Sequence, residues 1–220
     1  MRTFILLLFV LICFETKAQD ELSINYSDIK MKIENSNSSN FYPTLLKRFN
    51  EFDKELNLEE YALLYYGFTF QENYLKNQSD EIELSKLAES EKFQSLVIAC
   101  EKYLEINPVS LKANDLIAYS LYKLNKPESE WKKFQERYRA LRKVIVFSGN
   151  GLTCETAFKV ISVSDEYDIL YTYFDVENIK KQSLVGLCDK FEITPTEYYQ
   201  SDIIYFDISQ KLIRTENLKK

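Results

Sequence analysis

The side chains that carry most enzyme chemistry are unevenly represented in this chain of 220 residues. It has no histidine, which excludes the Ser-His-Asp triad, the Cys-His pair and histidine-ligated zinc. Its four glycines, at positions 67, 149, 151 and 186, do not fit the glycine-rich loops that bind dinucleotides or nucleoside triphosphates. We therefore assign no catalytic residue, and we expect neither a cofactor nor a metal.

Carboxylates are abundant, with 34 Asp and Glu residues. Two of them about 5–10 Å apart would suffice to hydrolyse a glycoside, but one sequence does not show which pairs converge. Asp165, Glu166 and Asp168 are grouped at a predicted short helix and lack the spacing and the glycine of a calcium-binding loop. Because carboxylates are stabilised at helix N-termini, we interpret Asp165 as a helix cap.

Aromatic side chains offer a second kind of chemistry, since the chain has 16 tyrosines. Tyr61, Tyr65 and Tyr66 lie on adjacent turns of one predicted helix, and Phe68 follows them. Two interpretations stay open. These residues either pack in the core with their hydroxyls bonded at its rim, or form a stacking surface for a peptide or a glycan. We treat the four residues as a candidate binding surface.

Residues 1–18 are typical of a secretory signal peptide. Arg2 precedes an unbroken apolar run from Phe4 to Phe14, and the small residues Thr16 and Ala18 precede a predicted cut before Gln19. The run is shorter than the roughly 20 apolar residues that span a membrane, so we expect no transmembrane segment in the mature chain. The predicted location is the periplasm or the cell exterior.

Export changes how the remaining cysteines are interpreted, because disulfides persist in oxidising compartments. Cys100 shares an apolar helical stripe, and we expect it to be buried. Cys154 and Cys188 either form a disulfide or remain two buried thiols, and their spacing does not decide between these alternatives.

The charge balance bears on the partner. The chain has 28 Lys and Arg against 34 Asp and Glu, a net charge of −6 at pH 7. Binding to phosphates requires clustered cations, so we do not expect nucleic acid as a partner. We expect a protein or peptide partner, and the sequence does not indicate the oligomeric state.

Helical periodicity dominates residues 19–147. The apolar spacing predicts helices over Glu91–Ile106 and Ser110–Leu124 and a third that begins at Pro127. Short connections make these helices antiparallel hairpins. The segment Tyr103–Pro108 and the spacing of Ala113, Ala118, Leu121 and Tyr122 resemble a tetratricopeptide repeat, but over little more than one repeat.

The pattern changes after the turn at Ser148–Gly151. Alternating apolar residues predict strands over Ala157–Ser164, Val185–Ile193 and Ile204–Ile208, with a short helix from Tyr167 to Phe174. Three strands bury little surface alone, so we expect residues 148–220 to pack on the last long helix as part of one continuous unit. The predicted fold is α+β, with helical hairpins followed by a small antiparallel sheet.

Several short strings give the chain a family resemblance. They are Phe41-Tyr-Pro43, Leu64-Tyr-Tyr-Gly-Phe68, Ser148-Gly-Asn-Gly151, Glu155-Thr-Ala-Phe158 and Cys188-Asp189. In this order the chain resembles a family of secreted bacterial proteins catalogued as domain of unknown function 4919. The resemblance spans most of the mature chain. It implies a Gram-negative origin and no known cofactor, and it supplies no catalytic residues.

Together these observations predict an exported, non-enzymatic module of the bacterial envelope that binds a protein or peptide between its helical hairpins and near Tyr61–Phe70. The alternatives are a small hydrolase that acts on glycan through two carboxylates, and a structural accessory of an envelope complex. A binding module should expose a contiguous aromatic patch and have no carboxylates with strongly perturbed pKa values. A hydrolase should hold two acids of different pKa in a pocket, and an accessory should expose a large apolar interface.

Overall fold

The computed structural model describes residues 22–76 and 80–217 of the chain. In these two ranges the chain forms nine α-helices and a mixed sheet of four strands. The prediction of an α+β fold is therefore confirmed. The predicted signal peptide, residues 1–18, lies outside the described residues.

Three short helices open the described chain: α1 (Tyr26–Glu34), α2 (Tyr42–Asn50) and α3 (Leu58–Gly67). The start of α3 is fixed by a capping box, in which Asn57 accepts from the Glu60 amide and Glu60 accepts from the Asn57 amide. A 3₁₀ turn, Phe68–Phe70, continues α3. Helix α3 packs against α1, α2 and the later helix α7, so it is enclosed on several sides.

The next four helices are α4 (Asp80–Glu89), α5 (Phe93–Ile106), α6 (Leu111–Lys123) and α7 (Glu128–Val146). The sequence predicted α5, α6 and the start of α7 to within two residues. Helix α5 packs on α6 and α6 packs on α7, as expected for consecutive hairpins. Buried side chains of α4, α5 and α6 form a hydrophobic cluster of their own, which includes Leu84, Leu96, Cys100 and Ile117.

The C-terminal part contains β1 (Phe158–Lys159), α8 (Val163–Asp168), a π-helical turn (Ile169–Tyr173), β2 (Ile179–Val185), β3 (Cys188–Ile193), β4 (Ile203–Asp207) and α9 (Ser209–Asn217). The strand order is β1-β4-β3-β2, and β1 pairs with β4 in parallel, with Phe158 opposite Phe206. The expected wholly antiparallel sheet of three strands is therefore wrong.

Two local features explain the difference. The chain leaves β1 directly into α8, so β1 is short and reaches its partner β4 through a long crossover, which is how parallel strands are connected. The predicted strand Val185–Ile193 is in fact the turn and second arm of a hairpin. Gly186 has a φ of +64° and provides the turn between β2 and β3.

One large hydrophobic cluster joins the two parts of the chain. It contains Leu141, Val144 and Ile145 of α7 together with Phe158 of β1 and Phe206 of β4. Helix α7 lies against β1. The sheet and the helices therefore share buried apolar surface, which contributes about 25 cal/mol per Å² to folding.

A disulfide joins Cys154, in the loop before β1, to Cys188 at the start of β3, with the two Cα atoms 5.8 Å apart. Cys100 is a buried free thiol on α5, and burial raises its pKa to about 12. The bond ties the inner strand β3 to the loop that leaves α7, so it fastens the sheet to the helical part.

Replacing both bonded cysteines, Cys154→Ala with Cys188→Ala, should lower the free energy of unfolding by about 3–4 kcal/mol, because the bond closes a loop with a sequence separation of 34. Urea denaturation without reductant measures the loss. The matched control is Cys100→Ala, which should still lose stability when a reductant is added. Equal stability of wild type and double variant under non-reducing conditions would contradict the assignment.

Candidate functional site

The aromatic residues proposed as a binding surface from the sequence are mostly inside the molecule. Tyr65, Tyr66 and Phe68 are 0%, 0% and 3% exposed. Tyr61 is half-buried and packs edge-on against Phe49, with ring centroids 5.9 Å apart. The prediction of a binding surface at these residues is therefore wrong, because α1, α2 and α7 enclose α3.

The hydroxyls of these tyrosines bind the segment that connects β1 to α8. Tyr65 donates to Asp165 Oδ2 at 2.6 Å and accepts from the Ile161 amide at 3.2 Å. Tyr66 donates to the Lys159 carbonyl at 3.1 Å, and Tyr74 donates to the Ile161 carbonyl at 2.7 Å. A buried tyrosine requires a partner for its hydroxyl, and here the partners hold the β1–α8 segment against the helices.

The acidic group at α8 is also buried. Ser162 caps α8, with its hydroxyl accepting from the Ser164 amide, so the prediction of Asp165 as the cap is wrong. Asp165 lies in the first turn with its side chain directed to Tyr65. Burial raises the pKa of Asp165 well above its usual range, and the carboxylates of Glu81 and Asp168 add to the rise.

Glu166 is fully buried beside Asp189 of β3. As an ionised carboxylate it has no hydrogen-bond donor among the described residues. Burial and, to a smaller extent, the adjacent Asp189 carboxylate together raise its pKa to about 9. At neutral pH Glu166 is therefore protonated, and the Asp189 carboxylate beside it accepts from the Gln182 amide at 3.3 Å.

The space around these acids is too small for a substrate. Asp165, Glu81, Tyr103 and Asn107 line part of a cavity of about 20 Å³. A volume of that size holds about one water molecule, whereas small-molecule sites measure about 300–1,000 Å³. In the described ranges no three Cys, Asp or Glu side chains are grouped in a way that could hold a metal ion. Asp165 therefore lies in the interior without room for a substrate beside it.

An open groove between α6 and α7 exposes aromatic side chains to solvent, which the buried tyrosines of α3 do not. Its volume is about 230 Å³, and we call it the aromatic groove; its lining residues are Asp115, Ala118, Tyr119, Tyr122, Trp131 and Gln135. Tyr119 is 45% exposed and Tyr122 60% exposed. Tyr122 packs edge-on against Trp131, with centroids 5.8 Å apart, and Tyr119 packs in the same way against Phe93. The groove therefore presents connected aromatic surface to solvent.

Local sequence explains how the groove forms. The α6 lining residues are spaced by three, one and three positions from Asp115 to Tyr122, which places them on one helical face. The opposite core stripe of α6 carries Ile117 and Leu121. The short connection to α7 then brings Trp131 across from Tyr122. Sequence reasoning used Tyr122 only for the tetratricopeptide resemblance and did not single out Trp131. The missed signal was a second aromatic stripe beside the core stripe.

Asp115 gives the aromatic groove its charge. The side chain is half-buried, and its burial raises the pKa while the Arg142 guanidinium opposes the rise. Among the described residues Asp115 has neither a hydrogen bond nor an ion pair. Arg142 instead donates to the Tyr138 hydroxyl at 3.1 Å and the Thr172 hydroxyl at 3.3 Å. The carboxylate of Asp115 is therefore available to a ligand.

Glu166 predicts an unusual pH dependence of stability. Its folded pKa of about 9 lies above the ordinary 4.5, so its favourable contribution is complete below pH 4.5 and is lost as the pH rises through 9. Glu166→Gln removes this titration. The difference in unfolding free energy between the variant and the wild type should grow by about 3 kcal/mol in favour of the variant between pH 5 and 7.5.

Urea denaturation at several pH values measures this difference. Glu136→Gln, which removes an exposed carboxylate on α7, is the matched control and should follow the wild-type profile. A difference between Glu166→Gln and wild type that stays constant across this range would show that Glu166 ionises normally in the folded protein.

One of three comparisons with known proteins gives a match. No curated protein and no solved structure matches the chain. The tetratricopeptide resemblance therefore gains no support and stays a prediction. In the described ranges no helix is both long and apolar enough to span a membrane. A family described as Domain of unknown function (DUF4919) matches residues 27–217, and the chain therefore belongs to this family.

Proposed function

We propose that the protein is an exported, non-enzymatic interaction module that binds a protein or peptide partner through the aromatic groove. The observation that carries this proposal is the solvent-exposed pairing of Tyr122 with Trp131 beside the unpartnered carboxylate of Asp115. Tyrosine and tryptophan supply large contact areas at low entropic cost, which is why they dominate the energetics of protein recognition.

The groove is built on a rigid base. Its lining residues lie on α6 and α7, and these two helices are packed together along their lengths. Behind the lining residues, Ile117 and Ala113 are fully buried in the cluster of α4, α5 and α6. A site held on packed helices loses little conformational entropy when a ligand binds, so a partner finds the groove already formed.

The surface next to the groove extends the same chemistry. Trp131, Gln135 and Arg142 follow one another on one face of α7 over roughly 16 Å, with the buried Tyr138 between the last two. Arg142 lines a second hollow with Thr172, Tyr173, Asp175 and Tyr198. An extended peptide covers this length with about five residues. The size and the aromatic content support a short segment of a partner protein as the ligand.

Export is supported by two independent features. The signal-like pattern of residues 1–18 is one, and the disulfide between Cys154 and Cys188 is the other, since such bonds persist in oxidising compartments. The periplasm and the cell exterior both fit these features.

The non-enzymatic part of the proposal is supported by the location of the acids. General acid-base catalysis by two carboxylates needs one group with a raised pKa and one that stays ionised, both reaching a substrate. Asp165 and Glu166 both have raised pKa values, and they are 3% and 0% exposed. Asp165 and Glu166 therefore do not favour a hydrolase.

Site-specific photocrosslinking in the producing cells tests the proposal. A benzophenone amino acid at position 122 should yield a discrete crosslinked product, because this side chain lies in the groove and is exposed. The same amino acid at position 31, an exposed site on α1, is the matched control. We expect at least a tenfold higher yield at position 122. Equal yields at the two positions, or no product at position 122, would contradict the proposal.

A further inference from the structure

The aromatic groove is lined by one carboxylate and by aromatic side chains, and this combination is selective. We propose that it recognises an arginine side chain of an extended segment in a partner protein, with the guanidinium stacked on Tyr122 and Trp131 and paired with Asp115. This inference rests on the proposed function and names the chemistry of the partner.

The first argument is the arrangement of the rings around the carboxylate. Tyr119, Tyr122 and Trp131 line the same groove as Asp115. The faces of aromatic rings attract cations, and a carboxylate beside them adds a charge partner. The chain already uses this contact on its own surface, since Lys123 Nζ lies 5.3 Å from the centroid of the Tyr119 ring.

The second argument is charge complementarity. The whole chain has a net charge of −6 at pH 7, which favours the approach of a cationic segment. The cation that lowers the pKa of Asp115 is Arg142. Its guanidinium donates hydrogen bonds to Tyr138 and Thr172. A half-buried carboxylate without a partner is costly, and an incoming cation would remove that cost.

The third argument separates arginine from lysine. A guanidinium is planar, stacks on aromatic rings and matches a carboxylate with two parallel hydrogen bonds. A groove of about 230 Å³ has room for this flat group beside the rings. Gln135, on the α7 side of the groove, offers an amide oxygen that can accept from the remaining N–H groups.

Random heptapeptides displayed on phage provide a probe that does not depend on knowing the partner. The mature chain, residues 19–220, is the bait, and Tyr122→Ala is the counter-selection bait, because this exposed side chain can be removed without opening the core. We expect the sequences enriched on wild type to contain arginine. Failure to enrich any sequence on wild type over Tyr122→Ala would overturn the proposed function itself.

A selected peptide then tests the charge directly. It is synthesised with arginine and with citrulline, the neutral isostere, and binding is followed by the fluorescence of Trp131, the only tryptophan of the chain. Citrulline should weaken binding at least tenfold. Asp115→Asn should remove most of this difference, whereas the charge-matched control Glu136→Gln should preserve it.

The outcomes distinguish a failure of the arginine inference from a failure of the proposed function. Enriched peptides without arginine, or equal affinity for the arginine and citrulline forms, would overturn the inference and leave the groove as a peptide site. Because the citrulline comparison uses the wild-type protein, it does not depend on the folding of any variant.

Discussion

The hydroxyl of Tyr65 and the carboxyl of Asp165 meet in the interior, and the arrangement of the rest of the molecule depends on this contact. A tyrosine on a helix enclosed by three others has no access to water, so its hydroxyl must find a partner in the protein. The β1–α8 segment supplies that partner and two carbonyls for Tyr66 and Tyr74. The helical part and the sheet are thereby fixed to each other by polar contacts as well as by apolar surface.

The aromatic residues fall into two sets with different surroundings. The set on α3 packs in the core, and its hydroxyls form internal hydrogen bonds. The set on α6 and α7 has its core stripe on one side and leaves Tyr119, Tyr122 and Trp131 on the other, beside one carboxylate. A protein of this size does not need exposed aromatic rings for folding, so this second set is where recognition is best sought.

The sequence predicted the hairpin helices well, because their apolar residues recur at steps of three and four on helices with one polar face. It left open whether the α3 tyrosines pack in the core or bind a ligand, although the unbroken apolar run from Tyr61 to Tyr66 indicates a helix buried all round. The pairing of β1 with β4 and the contact of Glu166 with Asp189 join residues far apart in the chain, and local pattern carries no information about them. The same holds for Arg137, which is buried against the rings of Phe49 and Phe52.

A double-mutant cycle between Tyr65 and Asp165 tests this account most directly. Tyr65→Phe removes only the hydroxyl, and Asp165→Ala removes the carboxyl group that accepts from it. Urea denaturation gives the free energy of unfolding of both single variants and the double variant. The account predicts a coupling energy of about 1–3 kcal/mol, as expected for a buried hydrogen bond to a carboxyl group. Additive effects of the two substitutions, within about 0.3 kcal/mol, would contradict the claim that this contact holds the two parts together.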